Sequence, residues 1–411
     1  MQSASAHNRS LALIFITLLI DVIGLGIIIP VIPKLLSELG NYTVSEASAV
    51  GAWMTVAFAL PQFIFSPVFG GLSDKYGRRP IIILSLMGLG IDFIIHAVAP
   101  TISILFIGRI LAGICGASFT TATSYIADIS TPEKRAQNFG LIGMAFGLGF
   151  ILGPLIGGIV GNENVRMPFW VAASLSFINA LLCLIALPES LKKEHRREFE
   201  LKRANPFGTL KQLKKYPIVL RMMIPLFLLY IASHAVQTNW SFYTKYKFQW
   251  NERTIGFSLT VVGLMIAVVQ GGLIRFIVPK IGNRKSIEYG FLLYALGMLL
   301  FAIADASWMM FVITIIYCLG GIAGPALQGE MSKAVPANAQ GELSGGMTAL
   351  MSISSVFGPL IMNSLFAVFS GKKAIFELPG APMLLGSCLI LISYVLVWRS
   401  YRLRESEVLQ D

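Results

Sequence analysis

The chain has 411 residues, of which 55% are hydrophobic and only 13% carry a charge. Soluble domains are about a quarter charged, and a mean hydropathy of +0.73 implies more apolar surface than one soluble core can bury. These values exclude a soluble enzyme and predict a polytopic membrane protein. The net charge of +11 would indicate a nucleic-acid partner in a soluble chain. Here Lys and Arg lie in short loops between apolar runs, so orientation in the membrane explains them and we expect no nucleic-acid partner.

Apolar runs long enough to cross a bilayer core as a helix, which takes about 20 residues, recur along the whole chain. The first six fall at roughly 11–33, 46–69, 80–99, 102–127, 137–161 and 168–187. The second six fall at roughly 219–240, 254–279, 285–304, 307–330, 341–369 and 379–398. The pattern predicts an all-α protein with 12 transmembrane helices.

One long polar stretch, 188–218, interrupts this series between the sixth and seventh runs. It predicts an N-terminal six-helix bundle at 1–187, a cytoplasmic linker at 188–218 and a C-terminal six-helix bundle at 219–411. Placing the N-terminus inside puts most of the 32 Lys and Arg residues on the cytoplasmic side. By the positive-inside rule both termini are therefore expected in the cytoplasm.

The two halves carry the same features at a constant spacing. Gly77, in the loop after helix 2, matches Gly282 in the loop after helix 8 at an offset of 205. The pair Gly153-Pro154 matches Gly358-Pro359 at that offset as well. Parallel repeats with a substrate site between them are a transporter architecture. The sequence thus predicts two pseudo-symmetric six-helix bundles.

The loop after helix 2 reads GGLSDKYGRRP at 70–80. A positive-inside loop would explain its arginines but not the whole spacing, which resembles the G-x-x-x-D-[RK]-x-G-R-R motif of the major facilitator superfamily. In that family the Asp and Arg of the motif form a cytoplasmic gate between helices. The resemblance implies a gate here that also includes an acidic residue at the end of helix 4. Its expected members are Gly70, Asp74, Gly77, Arg78, Arg79 and Asp128.

Helix 5 carries closely spaced small residues around a proline. The residue types by themselves indicate only a kinked, tightly packed helix. It also resembles the antiporter motif of the drug:proton branch of the superfamily, which implies export. The motif residues are Gly149, Gly153, Pro154, Gly157 and Gly158.

The whole chain is similar to the tetracycline-efflux group, most strongly over residues 12–190, with further matching stretches such as Gly256-Phe257-Ser258-Leu259. It departs from that group at three places. The His that the group carries in helix 8 and the Asp in helix 9 fall at Ile266 and Tyr294, and a Gln in helix 7 falls at His234. The resemblance implies fold and antiport, and leaves the cargo open.

Ionisable side chains inside apolar runs cost free energy in a membrane and therefore need a reason. Asp21 is close to the middle of helix 1, and Asp92 and Arg109 lie at similar depth on helices 3 and 4. His96 follows Asp92 by four residues and so shares its helix face. A structural ion pair, or an Asp21 satisfied by a local donor, would account for these charges. The alternative is proton coupling by Asp21, Asp92, His96 and Arg109, and Arg109 matches the family's proton-translocation motif.

Polar and aromatic residues at membrane depth in the second half are candidates for contact with the cargo. The candidates are His234, Gln237, Asn239 and Trp240 at the end of helix 7, and Gln270 and Gln328 in helices 8 and 10. The sequence has no metal-ligand spacing, phosphate loop or nucleophile elbow that would indicate an enzyme. We expect no cofactor and no bound metal, with protons as the coupling ion.

These features together predict a proton-coupled secondary transporter that exports amphipathic drugs, tetracycline-like or several, by alternating access. The alternative is an exporter of a specific endogenous metabolite such as a siderophore or a sugar. The expected partners are a small amphipathic substrate and the lipid bilayer, and the architecture works as a monomer. The short loops and the resemblance imply a bacterial inner membrane.

Overall fold

The computed structural model describes residues 4–116, 118–131, 134–196, 215–336, 340–371, 374 and 376–408, and within them it contains helices and loops but no strand. The first half forms α1 (Ala4–Ile28), α2 (Ile32–Gly40), α3 (Val44–Tyr76), α4 (Arg78–Val98), α5 (Ile102–Cys115), α6 (Ser118–Ile129), α7 (Arg135–Glu163) and α8 (Met167–Ala186). The second half forms α9 (Pro217–Gln237), α10 (Trp240–Phe248), α11 (Glu252–Ile266), a π-helical segment (Ala267–Leu273), α12 (Ile274–Ile303), α13 (Ser307–Leu319), α14 (Ala323–Lys333), α15 (Gln340–Ser370) and α16 (Ala381–Val408).

Helices long and apolar enough to cross a membrane account for most of the described chain, which confirms the prediction of an all-helical, multi-pass membrane protein. Eleven such helices occur among the described residues. One of them, Glu252–Ile303, has 52 residues. At a rise of about 1.5 Å per residue, 52 residues amount to about 78 Å of helix, more than twice the hydrocarbon core of about 30 Å. The predicted run 254–279 and all but the last residue of the run 285–304 fall inside it, and the count of twelve stays a prediction.

A backbone break at Gly282 divides this long helix. Gly282 has φ 79° and ψ 164°, and Gly77, between α3 and α4, has φ 107° and ψ 161°. This region of backbone space is essentially restricted to glycine, because a Cβ atom would clash there. The two glycines that match in sequence therefore have the same unusual conformation, as expected of a duplicated unit.

The chain forms two compact units. Unit 1 comprises Met1–Tyr42, Ala57–Asn205 and Trp250–Gly263, and unit 2 comprises Thr43–Val56, Pro206–Gln249 and Leu264–Asp411. Each unit thus includes a short segment from the opposite half of the sequence. Residues 197–214 of the predicted linker lie outside the described part of the chain, and the predicted boundaries at 187 and 219 stay predictions.

A core cluster of unit 1 consists of apolar side chains from α1, α4, α6, α7 and α8. Polar side chains tie the same helices together. Asn179 of α8 donates from Nδ2 to the carbonyl oxygen of Thr17 on α1 at 2.9 Å, and the Thr17 hydroxyl lies 3.3 Å from the Cys183 sulfur. Cys183 is fully buried and serves as a small packing residue between α1 and α8.

Unit 2 uses similar contacts between its corresponding helices. Ser393 of α16 donates to the carbonyl oxygen of Pro225 on α9 at 3.2 Å. Ser387 donates to the carbonyl oxygen of Ala295 on α12 at 2.8 Å. Small hydroxyl side chains allow close helix approach and satisfy backbone carbonyls without water, which suits helices in lipid.

Candidate functional site

A buried ion pair joins α4 to α5 inside unit 1. The Arg109 guanidinium donates from Nη2 to Oδ2 of Asp92. The Asp92 side chain is fully buried and the Arg109 side chain is 11% exposed. The contact between Asp92 and Arg109 that the sequence predicts is thus present in the structure. Two charges taken out of water are costly even when paired, so the contact by itself does not explain the role of these charges.

His96 completes this cluster from one helical turn further along α4. Its Nδ1 lies 3.0 Å from Oδ1 of Asp92, and its ring stacks on Phe169 with centroids 5.4 Å apart. Among the described residues, Nε2 of His96 and Nε of Arg109 have no hydrogen-bond partner. An unsatisfied buried polar atom costs about 1–3 kcal/mol, so this cluster is not an optimal solution for stability alone.

A glycine makes room for the cluster. A Cβ atom on Gly108 would lie 2.6 Å from Oδ1 of Asp92, 3.1 Å from Cγ2 of Ile95 and 3.4 Å from Cε1 of His96. Any larger residue at 108 would push α5 away from the carboxylate. Gly108 therefore sets the separation of α4 and α5 at the ion pair.

Asp21 makes a hydrogen bond that does not involve the cluster of Asp92, His96 and Arg109. Its Oδ2 accepts a 2.6 Å hydrogen bond from the Ser118 hydroxyl at the start of α6, and the residue is 9% exposed. The local donor that one interpretation of the sequence required thus exists. Ser118 could not be recognised from the sequence, because nothing in the residues around 118 indicates which helix it faces.

The loop after α3 brings most of the predicted gate residues together. Arg78 contacts Asp74 at 2.6 Å through Nη1 and Asp128 at 3.0 Å through Nε. It also donates to the Ser73 hydroxyl at 2.6 Å. Arg78 therefore joins the end of α3 to the end of α6 through two carboxylates.

Glu189, which sequence reasoning did not find, caps the start of α4 in the same place. Its carboxylate accepts from the backbone N–H groups of Arg78 at 2.8 Å and Arg79 at 3.2 Å. A carboxylate at a helix N-terminus satisfies free N–H groups and interacts favourably with the helix dipole. The sequence alone does not predict this cap, since Glu189 lies more than 100 residues from Arg78.

The remaining gate residues have different surroundings. Arg79 donates to the carbonyl oxygens of Cys183 and Leu184 at the end of α8, whereas Arg78 contacts Asp128. Gly70 accepts from Ser73 at 2.7 Å through its carbonyl. A Cβ atom on Gly70 would have open space around it, and so no close helix approach explains a glycine there.

The corresponding loop of unit 2 has weaker contacts. At the offset of 205 the residue that matches Arg78 is Asn283, and it donates to Glu330 of α14 at 3.2 Å. Lys333 lies 3.9 Å from the same carboxylate. An amide thus takes the place of the guanidinium that bridges two acids in unit 1.

The antiporter-motif helix, α7, packs against α1 through its glycines. A Cβ atom on Gly153 would lie 2.8 Å from both the Gly26 Cα and the Ile23 carbonyl oxygen. A Cβ on Gly149 would lie 2.6 Å from Cγ1 of Val22, and a Cβ on Gly157 would overlap the Ile27 carbonyl. Glycines every four residues therefore form one contact face, as small-residue packing requires.

Another face of α7 contacts the segment 250–263. A Cβ atom on Gly158 would lie 2.6 Å from the Glu252 carbonyl oxygen and 2.9 Å from the Gly256 Cα. A Cβ on Gly256 would overlap the Pro154 carbonyl. In the same unit, Lys34 lies 3.8 Å from the carboxylate of Glu252, whose side chain is 4% exposed.

Three of the predicted cargo-contact residues are accessible in unit 2. Gln237 and Gln270 are exposed, and Gln328 is half-buried. The Gln328 side chain donates to the Tyr230 hydroxyl at 3.4 Å. Gln270 lies in the π-helical segment Ala267–Leu273, and π-helical turns occur often at functional sites.

The other three predicted cargo-contact residues are buried in unit 2. Asn239 is fully buried and donates to the Asn363 side chain at 3.1 Å. Trp240 packs edge-on against Phe301, and His234 lies against Gly358. In this structure these three side chains pack against the protein, and their contact with cargo stays a prediction.

The chain matches a known protein family along most of its length. The family model of the Major Facilitator Superfamily matches residues 14–359 and 243–409. The chain belongs to the Major Facilitator Superfamily. This family consists of transporters rather than enzymes.

Curated relatives narrow the type of transporter. The class C tetracycline resistance protein of Escherichia coli is 38% identical over 360 residues, covering 88% of this chain and 90% of that protein. Multidrug resistance protein 2 of Bacillus subtilis is 29% identical over 361 residues, covering 86% and 88%. The predicted resemblance to the tetracycline-efflux group is thus confirmed.

A solved structure agrees with the fold. A bacterial homologue of the human lysosomal transporter Spinster, in an inward-facing and unoccupied conformation, matches with a TM-score of 0.77 at 15% identity. The match covers 97% of this chain and 98% of that one. At this identity the likeness establishes the fold alone.

Proposed function

We propose that this protein exports amphipathic drugs across a bacterial inner membrane in exchange for protons, by alternating access. The observation that carries the proposal is the cluster of Asp92, His96 and Arg109 within apolar helices. Charges at membrane depth are expensive and mark ion pathways and proton relays. The curated resistance relatives support the export of drugs.

The coupling step uses a carboxylate that exchanges its charge for a proton. A proton that enters from outside neutralises Asp92 or Asp21. At Asp92 this weakens the pair with Arg109, and at Asp21 it converts an acceptor of the Ser118 hydrogen bond into a group that also donates. Either change favours the inward-facing arrangement, where cytoplasmic cargo binds, and proton release to the inside accompanies export.

The cytoplasmic gate in this scheme is Arg78 with Asp74 and Asp128. The guanidinium bridges the ends of α3 and α6, and Glu189 holds the adjacent helix start. An opening on this side has to separate some of these charge pairs, so their strength sets the population of the inward-open state.

The topology that we propose has twelve spans, with both termini in the cytoplasm and six-helix halves at 1–187 and 219–411 joined by the linker 188–218. The 52 residues of Glu252–Ile303 support two spans in place of one. The break at Gly282 supports a turn between them. The transporter works as a monomer, takes no cofactor and binds no metal.

The cargo belongs to the amphipathic drugs, of which tetracycline is one candidate because of the class C relative. At the positions where the tetracycline-efflux group has a His and an Asp, this chain has Ile266 and Tyr294. The accessible amides Gln237, Gln270 and Gln328 provide hydrogen bonds to such a molecule. An uncharged set of hydrogen-bond donors and acceptors suits several amphipathic drugs and not a single one.

Proton movement in inside-out vesicles tests the function directly. Vesicles that hold a respiratory pH gradient receive tetracycline or one of a panel of lipophilic cations, and the internal pH is followed with a fluorescent dye. We expect one or more compounds to collapse the gradient with the wild-type protein. The Asp21→Asn variant should be inserted and folded but should not respond.

The matched control is Asp305→Asn, since the side chain of Asp305 is 93% exposed and lies outside the spans. Its response should equal that of the wild type. Silence of the wild type across the whole panel, with folded protein present, would contradict the proposal and favour a dedicated metabolite exporter.

A further inference from the structure

An apolar face of α16 ends in a tryptophan and an arginine. Leu391, Val395, Trp398 and Arg402 follow one another at spacings of four, three and four residues, so they share one face of the helix. All four are exposed, and the first three are 43%, 48% and 38% accessible. Tryptophan is enriched where a membrane helix passes from acyl chains to headgroups. The face therefore indicates that α16 leaves the hydrocarbon core near Trp398.

The length of α16 supports this position. The helix has 28 residues, whereas α8 of unit 1 has 20. At about 1.5 Å per residue these amount to about 42 Å and about 30 Å of helix, and the hydrocarbon core is about 30 Å thick. The last turns of α16, which carry Arg402, therefore reach the depth of the lipid headgroups.

Two arginines at this end of α16 lack a counter-ion from the described part of the protein. The Arg402 guanidinium stacks over Trp398, with Cζ 4.6 Å from the ring centroid, and Arg399 is exposed. Among the side chains that the structure describes, no carboxylate pairs with either arginine. A stacked guanidinium keeps its N–H edge available for an oxyanion, and arginine fits phosphate with two parallel hydrogen bonds. The phosphates of anionic lipids lie at this depth and supply the missing negative charge.

Helix α12 brings a further cation to the same end of unit 2. Arg284 stacks on Tyr401 of α16, with Cζ 5.0 Å from the ring centroid, and its Nε donates to Glu288 at 3.2 Å. Lys285, the next residue of α12, is exposed. In unit 1 the residue that matches Arg284 at the offset of 205 is Arg79, which donates to backbone carbonyls of α8 instead. The two halves thus use this arginine differently, and in unit 2 it holds an exposed lysine close to the end of α16.

We propose that this end of unit 2 binds the phosphate of an anionic phospholipid in the cytoplasmic leaflet. The site, which we call the headgroup site, consists of Trp398, Arg399 and Arg402 of α16 and Lys285 of α12. The acyl chains lie along the apolar face of α16. A headgroup without its own cation, as in phosphatidylglycerol, fits three basic side chains better than phosphatidylcholine, whose ammonium group already neutralises the phosphate. Lipid binding here is independent of the proposed drug export, and the choice of leaflet rests on the proposed topology.

Binding of phosphatidylglycerol to the purified full-length protein in detergent, with the lipid-bound species quantified by native mass spectrometry, tests the headgroup site. Arg402→Gln and Arg399→Gln should each weaken binding about fivefold, the value of one basic side chain near an anionic headgroup, and the double variant about 25-fold. The matched control Arg9→Gln removes an exposed arginine of unit 1 and should bind as the wild type. Unchanged binding in the double variant, with a normal melting temperature, would overturn the inference.

The tryptophan has a separate test, because its contribution is to orient Arg402. Trp398→Phe keeps an aromatic face for the guanidinium and should bind phosphatidylglycerol nearly as well as the wild type. Trp398→Leu keeps apolar bulk but loses the cation–π contact, and should weaken binding about threefold. In an Arg402→Gln background the same change should have no further effect, since no cation remains to stack. An equal loss in both backgrounds would remove the tryptophan from the site.

Competing ligands decide which class of anion the site takes. Phosphatidylcholine should bind the wild type and the double variant Arg399→Gln/Arg402→Gln equally, and more weakly than phosphatidylglycerol binds the wild type. Glycerol phosphate, which has the phosphate without acyl chains, should not displace phosphatidylglycerol. Displacement by glycerol phosphate would show a site for a free phosphate, and equal binding of the two lipids to the wild type would show a site for acyl chains alone. Either result would overturn the inference.

Labelling from one side of the membrane tests the choice of leaflet. Lys280 is exposed in the loop region of α12, and Lys280→Cys is made in a Cys388→Ser background, because Cys388 is exposed while the other three cysteines are buried. The new thiol should react with a membrane-impermeant maleimide in inside-out vesicles. Reaction in right-side-out vesicles alone would place the site in the outer leaflet and contradict both the cytoplasmic assignment and the proposed topology.

The outcomes distinguish the headgroup site from the proposed function. Binding of phosphatidylglycerol that depends on Arg399 and Arg402, without drug-driven proton movement in the wild type, would support the site and contradict antiport. Drug-driven proton movement in the wild type, with lipid binding unchanged in the double variant, would support antiport and contradict the site.

Discussion

Asp92 and Arg109 are 17 residues apart in the chain and form an ion pair between two consecutive membrane helices. Gly108, next to Arg109, allows this contact, because any side chain there would press on the carboxylate. His96 lies 3.0 Å from the other oxygen of Asp92. The helix pair α4–α5 is therefore built around a charge cluster and not only around apolar packing.

Neutralising one partner of this pair should harm stability more than neutralising both. In Asp92→Asn the Arg109 charge stays buried without its counter-ion, and breaking a buried pair from one side costs about 3–5 kcal/mol. The double variant Asp92→Asn/Arg109→Gln should recover much of the loss. Thermal unfolding in detergent measures both. Drug-driven proton movement should be absent from both, and a double variant less stable than the single one would contradict this account.

Gly108→Ala should disturb the cluster without removing any charge. The added methyl group would lie 2.6 Å from Oδ1 of Asp92, and overpacking of this kind costs about 1–3 kcal/mol. The matched control is Gly143→Ala, where the new methyl group meets open space and the helix gains from the higher helical propensity of alanine. Melting temperatures should fall for the first variant and stay level or rise for the second.

Ser118→Ala should distinguish the role of the hydrogen bond that Asp21 accepts from the role of the Asp21 carboxylate itself. The variant keeps the proton-accepting group and removes a 2.6 Å hydrogen bond that stabilises its ionised form. The pH profile of drug-driven proton movement should differ from that of the wild type, since the ionised carboxylate has lost a hydrogen-bond donor. Ser124→Ala, whose hydroxyl bonds its own helix at Thr120, is the control. An unshifted profile in an active Ser118→Ala protein would remove Asp21 from the coupling scheme.

Gly77→Ala should be more harmful than Gly282→Ala. Both substitutions place a side chain where φ is positive, which costs about 1–3 kcal/mol each. At Gly77 the methyl group would also lie 2.8 Å from Cδ of Glu189 and displace the carboxylate that caps α4, whereas open space surrounds Gly282. Thermal unfolding and transport rate measure the difference. Equal effects would show that Glu189 moves aside at little cost.

Periodicity and composition were enough to predict the membrane helices and their repeat. Runs of about 20 apolar residues have few alternatives to a spanning helix, because a lipid-exposed backbone must satisfy its own hydrogen bonds. The match between Gly77 and Gly282 could also be found in the sequence, because only glycine adopts their conformation readily and both halves therefore carry it. The family motif around Asp74 and Arg78 could be identified because its residues are contiguous.

Contacts between distant segments could not be predicted in this way. Glu189 caps the helix that starts at Arg78, and Ser118 binds Asp21, although nothing in either local sequence specifies its partner. The edge-on contact of Phe119 with Phe146 likewise depends on how α6 lies against α7. The burial of Asn239 and Trp240 inside unit 2 could not be predicted from the sequence either. A residue at a helix end has the same local sequence pattern whether it faces cargo or a neighbouring helix.

What the sequence by itself determined is which segments enter the membrane and which charges go with them, because transfer from water to lipid depends on each segment's own composition. The tertiary structure alone decided which of those charges meet. Pairing depends on the rotation and spacing of helices, and these are set by small contacts such as Gly108 against Asp92 and Gly153 against Gly26. A difference of one methyl group changes that spacing and leaves the hydropathy of the helix almost unaltered.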